Sequence, residues 1–183
     1  MSMRFVYTRT DDPLAKLLVD ELTFEYDSRY GEFYAQSGET REMEKYGPEV
    51  FSPAEGGNFV LLLDGGKPVS GGGFKRLDPV TAELKRVWTD STRRRQGLAH
   101  LVLTELEAQA WRQGYRSIYL TTGFRQPEAA GLYLSHGYTG LYDPEGDLQA
   151  QRRLPFRKVL AAPGPTLQSR LNGGGPATQE LRA

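Results

Sequence analysis

The stretch WTDSTRRRQGLAHLVLTELEAQA, residues 88–110, decides how the rest of the chain is read. Its second half is helical by pattern. Ala99, Val102, Leu103, Leu106 and Ala110 fall within one sector about 100° wide at 3.6 residues per turn, and Gly114 stands where such a helix stops. The spacing predicts a helix over 97–113. Its first half continues a strand-like run, TAELKRVWT (81–89), so Arg93, Arg94 and Arg95 sit at a strand-to-helix crossover. The first turn of a helix has unpaired backbone N–H groups and carries roughly +0.5 of an elementary charge, which suits phosphate oxygens. Gly97 leaves room for a close approach, Ala99 stays small, and arginine adds bidentate donors. A surface turn with merely hydrated arginines is the competing reading, and the run alone does not choose between them.

Working outward, MRFVYTRT (3–10) reads as a strand, and residues 11–33 carry helix-spaced apolar residues behind Asp11 and Asp12, either of which could cap, with Pro13 in the first turn. At NFVLLL (58–63) the period changes to that of a strand. The turn DGGK (64–67) then joins it to PVSGGGFKRL (68–77) as a hairpin, with Gly71 to Gly73 marking a bulge or close backbone packing. In the next strand, simple alternation puts Ala82, Leu84, Arg86 and Trp88 on one face and Glu83, Lys85, Val87 and Thr89 on the other. SIYLTT (117–122) is a buried-type strand, QPEAAGLYLSHG (126–137) a short helix and LPFRKVL (154–160) a last strand. The order, β-α, three strands, then α-β-α-β, is that of a mixed α/β fold. One domain is expected over 1–161, followed by a Gly- and Pro-rich tail, 162–183, without period and therefore flexible.

Composition excludes several classes. The chain has 183 residues, 23 basic and 23 acidic, so any basic site is local, and neither a nucleic-acid-coating nor a membrane-coating protein is expected. With no cysteine, disulfides, thiolate metal sites and cysteine nucleophiles are excluded; with only His100 and His136, no metal centre is expected. No segment reads as a signal peptide or membrane span, which predicts a soluble, cytoplasmic protein. Neither G-x-x-x-x-G-K-[ST] nor a helix-opening G-x-G-x-x-G occurs.

Arg94, Gly97 and Ala99 fit the pattern [QR]-x-x-G-x-[GA], and residues 129–138 fit A-x-x-L-Y-x-x-x-G-[YF] at a suitable distance beyond it. On these motifs residues 83–141, about a third of the chain, resemble the GNAT superfamily of N-acetyltransferases; residues 10–57 match only as a helical region. The resemblance implies an α/β, GNAT-like acyl-CoA fold: a central mixed, mostly antiparallel sheet with two splayed parallel strands and flanking helices. It implies acetyl-CoA as cosubstrate, lying between the strands that contain Val87 and Leu120. Main-chain groups of Val87 and Thr89, with Trp88 between them, would pair with the pantetheine arm. The amides of Arg94, Arg95, Gln96, Gly97, Leu98, Ala99 and His100 would hold the pyrophosphate. Gln126 is either a cofactor contact or a helix cap.

The reaction implied is direct attack of an unprotonated amine on the thioester through a tetrahedral intermediate. It needs a group to take a proton from an ammonium of pKa about 10.4 and one to protonate a thiolate of about 8.5. Tyr133 is the implied acid, with a core tyrosine as the alternative. Glu83, placed by alternation on the face of Val87 and Thr89, is the implied base, directly or through water; a salt-bridged strand residue beside Lys85 is the alternative. The N–H of Val87 would polarise the carbonyl. His100 reads as a cofactor contact or surface residue, and His136 as a charged cap at a helix C-terminus. Glu21, Glu25, Tyr26, Asp27 and Tyr30 suit a cationic amine, and equally suit a solvated helix. The expected acceptor is a small-molecule amine or a peptide, and the resemblance admits a homodimer. A CoA-binding regulator without transfer and a nucleic-acid module built on the arginine run are the rival classes.

Overall fold

Seven strands form one sheet in the computed structural model, which describes residues 2–166. They are β1 (Met3–Tyr7), β2 (Asn58–Asp64), β3 (Lys67–Arg76), β4 (Thr81–Thr89), β5 (Ser117–Gly123), β6 (Thr139–Gly140) and β7 (Arg153–Val159), in the order β1-β2-β3-β4-β5-β7-β6. Every neighbouring pair is antiparallel except β4 and β5, which are parallel and joined through a helix. The expected α/β class and mixed, mostly antiparallel sheet are therefore correct. The β2–β3 hairpin turns at Gly65 and Gly66, with φ of 57° and 85°. Those angles are what a two-residue turn matching the strand twist requires.

Helices α1 (Lys16–Ser37), α2 (Leu98–Arg112), α3 (Pro127–Ser135) and the single turn α4 (Leu148–Gln151) flank the sheet. The entry to α1 resolves the capping choice: Asp12, not Asp11, accepts from Leu14 N at 2.8 Å, and Pro13 opens a 3-10 turn ahead of the helix. Pro127 opens α3, and Gly137 at φ 89° follows its end. Sequence reading missed β6, α4 and the 3-10 turns between α1 and β2, all too short to establish a period.

Two apolar clusters lie on opposite faces of the sheet. One packs α2 and α3 through Val102, Leu103, Leu106 and Tyr133 against Leu84, Ile118, Leu120 and Phe156. The other packs α1 through Leu18 and Leu22 against Phe59, Leu61, Leu63 and Trp88. Strand β2 lies between β1 and β3 and feeds both clusters, which is why all seven of its residues are buried. Among the described residues no helix is long and apolar enough to cross a membrane. Residues 162–166 form no helix or strand, and the rest of the expected tail, 167–183, lies outside the described residues.

Candidate active site

The cleft begins where two strands part. Strands β4 and β5 pair only at Thr81, Ala82 and Glu83 with Ser117, Ile118 and Tyr119, while β4 stays with β3 as far as Thr89 and β5 stays with β7 as far as Gly123. Beyond Glu83 and Tyr119 the facing edges of β4 and β5 therefore lack strand partners. A bulge accompanies the split: Gly71 pairs with Trp88 and Gly73 with Lys85, so Gly72 alone spans Arg86 and Val87. Arg86 is left-handed, at φ 58°. Such a residue bends its strand and sharpens the local twist. Non-glycine αL costs roughly 1–2 kcal/mol. The Arg86 guanidinium offsets it by donating to the carbonyls of Tyr46 and Met43, at 3.0 and 3.3 Å, and by lying 4.8 Å over the Phe51 ring.

The bulge also corrects the expected strand faces. Leu84 and Val87 belong with the α2 and α3 side, whereas Trp88 packs against α1. Ala82, Leu84, Arg86 and Trp88 do not share a face, and Glu83 is not on the face of Val87. One extra residue shifts the period-2 alternation by one step.

At the far end of β4, the turn into α2 exposes the donor set expected for a pyrophosphate. None of the backbone N–H groups from Arg94 to His100 donates to an acceptor among the described residues. Gly97 caps α2 at φ 75°, and a Cβ built on it would meet nothing within 4 Å, so the approach is open. Arg93, which sequence alone left as possible surface, binds the buried Asp64 at 3.0 Å and ties the turn to the end of β2. Arg94 is exposed and reaches Glu25 at 3.7 Å, while Arg95 at φ 63° turns the chain. In the opening itself, Thr122 Oγ1 is buried without a hydrogen-bond partner. Free amides at a helix N-terminus and an unpaired hydroxyl between splayed strands fit a long polar ligand carrying a diphosphate.

The sequence model of the acetyltransferase (GNAT) family matches residues 17–138. The chain belongs to this family. Its fold is shared with an acetyltransferase of the GNAT family from Staphylococcus aureus Mu50, at 17% identity over 87% of this chain and 100% of that one, TM-score 0.66. It is likewise similar to the PaiA N-acetyltransferase from Thermoplasma acidophilum in complex with coenzyme A, at 19% identity over 87% and 99% of the two chains, TM-score 0.64. An aminoglycoside 6'-acetyltransferase type Ii is 21% identical over 88% and 99%, TM-score 0.62. No curated protein matches the chain. It is an acyltransferase by family.

In this GNAT chain Tyr133 is buried on α3, with its ring 5.6 Å from Tyr138 and 5.7 Å from Phe156. Burial pushes its phenol well above the ordinary value, so it holds its proton at any physiological pH. Burial does the same to Tyr26 on α1, with a smaller raising contribution from Tyr133. Glu83 is buried and ion-paired with Lys75 and Lys85, each at 3.2 Å. Lys85 and Lys45 in turn flank Glu42, both at 3.0 Å, making a chain of three lysines and two glutamates. Gln126 does not cap α3 through its side chain. Its Oε1 accepts from Gly123 N at 3.2 Å and Tyr30 Oη at 3.4 Å, bracing the end of β5 against α1.

The histidines meet instead of acting separately. Their Nδ1 atoms are 2.8 Å apart, with Glu107 and Lys158 beside His136. Burial, then the charges of Lys158 and His100, lower the His136 pKa to about 4, so the expected charged cap is a neutral imidazole.

Between α1, β4, β5 and β7 lies a cleft of about 410 Å³ that contains Tyr26, Tyr30, Lys85, Thr122 and Gln126. Of the acidic residues expected to draw in an amine, Glu21 is held by Trp88 and Ser91, Glu25 by Arg29 and Asp27 by Arg41. Only Tyr26 and Tyr30 of that group line the cleft. Sequence reasoning missed Glu42, Lys45, Tyr46, Arg152 and Arg153, which come from a loop and a strand end without period. For the bulge there was one faint signal, the Gly71–Gly72–Gly73 run opposite it.

Proposed function

We propose that the chain is an N-acetyltransferase that takes acetyl-CoA as cosubstrate and acetylates a primary amine of a small molecule or peptide. The observation that carries this reading is the split between β4 and β5 with unpartnered amides from Arg94 to His100 at its end. Acetyl-CoA supplies an activated thioester that the amine attacks directly. The amides of Arg94, Arg95, Gln96, Gly97, Leu98, Ala99 and His100 hold the diphosphate; Val87 and Thr89, on the β4 edge that β5 leaves open, pair with the pantetheine amides, and Trp88 fixes their register from the α1 side. The Val87 N–H donates where negative charge develops. Gln126 shapes the opening from the β5 side.

Tyr133 is the proton donor to the departing thiolate; its raised pKa keeps the phenol protonated until that moment. Glu83 receives the amine proton through water, because its oxygens are engaged by Lys75 and Lys85 and it lies on the α1 face with the cleft. That same pairing favours the second reading, a CoA-binding domain with little transfer, since both carboxylate oxygens of Glu83 are already occupied by ammonium groups. Calorimetry with CoA and thiol release from acetyl-CoA over an amine panel separate the two. Binding with turnover supports the enzyme, binding without turnover on any amine supports the regulator, and no binding at micromolar CoA overturns both.

A further inference from the structure

The cleft beside the catalytic opening has a charge that the chain as a whole does not. Sequence composition is balanced at 23 basic and 23 acidic residues. Yet the lining contributes five cations, Lys45, Lys85, Arg86, Arg152 and Arg153, against two carboxylates, Glu39 and Glu42. A smaller hollow of about 250 Å³ shares Glu42, Lys45, Tyr46, Lys85, Thr121 and Arg153 with the main cleft, so the two are continuous. Counting Glu83, which borders only that hollow, still leaves cations in excess. The carboxylates are already shared: Glu42 serves Lys45 and Lys85, and Glu39 serves Arg152 and Arg153 at 3.2 and 3.5 Å. Arg86 is held by two carbonyls and the Phe51 ring, with no carboxylate in hydrogen-bond range among the described residues.

The arginine pair owes its convergence to backbone geometry. Adjacent residues of a strand point to opposite faces, but Arg152 is left-handed at φ 57° just before β7 begins, and both side chains reach the same carboxylate. Six aromatic side chains, Tyr26, Tyr30, Phe33, Tyr34, Tyr46 and Phe124, complete the walls. A polyamine or a lysine-rich peptide would meet like charge here, whereas an anionic acceptor meets cations in excess of carboxylates and flat apolar surface.

We infer that the acceptor amine carries an anionic group, a carboxylate or phosphate, which docks among Arg153, Arg152 and Lys45 while its apolar body lies on the aromatic walls. This rests on the acetyltransferase reading above. In that arrangement the anion is held on the α1 face at the start of β7, across the cleft from Lys85 and Glu83 on β4.

The test uses the full chain and compares phenylalanine with phenethylamine, which lacks only the carboxylate, and with phenylalanine amide, which keeps its shape. Thiol release from acetyl-CoA should give a kcat/KM at least about tenfold higher for phenylalanine, the range expected for one charge-assisted pair. In Arg153→Gln that ratio should fall toward one; Lys45→Gln serves as the second variant if the first misfolds. Equal or reversed preference for phenethylamine in the wild type overturns the inference and leaves the acetyltransferase reading intact. If no amine is acetylated, that reading fails, and calorimetric titration of phenylalanine and phenethylamine into CoA-saturated protein still decides the charge preference. The cations could instead serve the 3'-phosphate of CoA. A loss of affinity for dephospho-CoA in the wild type, equalled by the loss for CoA in Arg153→Gln, would show that and overturn the inference.

Discussion

On the proposed function, single side chains divide the site into a cofactor cradle and a proton relay, and substitutions should separate them. Tyr133→Phe removes the proposed proton donor but keeps the ring packed on Tyr138 and Phe156. It should lower kcat about a hundredfold, within the range for a general acid, while calorimetry finds CoA affinity unchanged. Gly97→Glu should do the opposite. It forces a side chain into φ 75° and sends a carboxylate into the open space before the free amides. CoA affinity should drop by about two orders of magnitude or more, as expected when a charge is opposed where it was to be paired. His136 gives a pH signature. Its pKa is lowered in the folded state from 6.5 to about 4, so the unfolded chain binds a proton that the native state refuses. Stability is fully present above about pH 6.5 and falls as the pH drops toward 4. Urea midpoints measured across that window should decline in the wild type, and His136→Gln should flatten the decline.

Among elements, β4 carries most of the functional information, and α1 holds it in place. Glu21 on α1 accepts from Trp88 Nε1 at 2.8 Å, Ser91 Oγ at 3.0 Å and Ser91 N at 3.2 Å. Glu21→Ala leaves the buried Trp88 Nε1–H without its acceptor and releases the exposed Ser91 at the exit of β4. It should cost about 2–3 kcal/mol in denaturant melts and weaken CoA binding, because the turn leading to Arg94 loses its anchor. The same strand shows how far local sequence reaches. Its type, length and place before α2 were legible from a run of nine residues and a following 3.6-residue period. Its faces were not, because one left-handed residue, Arg86, inverts the alternation, and arginine has no sequence preference that announces such a conformation. The histidines failed for a related reason. Each sits in a helix-end context that suggests a separate role, and only the packing of α2 beside the end of α3 brings them to 2.8 Å.

Across the whole molecule, balanced charge conceals an uneven distribution. The excess of cations around the cleft should steer anionic acceptors, so KM for phenylalanine should rise between about 20 and about 300 mM salt as the Debye length shortens and the attraction is screened, and that for phenethylamine should not. By itself, the sequence determined the α/β class, the hairpin, the crossover into α2 and the glycine-opened helix turn, because each depends on periodicity or backbone conformation within a few tens of residues. Only the tertiary structure decided which way Glu83 faces, that Arg93 anchors the turn on Asp64, and that Lys45, Lys85 and Arg153 converge on one cleft. Those groups come from a loop, a bulged strand and a strand end far apart in the chain, and electrostatic fields add in space with no regard to sequence separation.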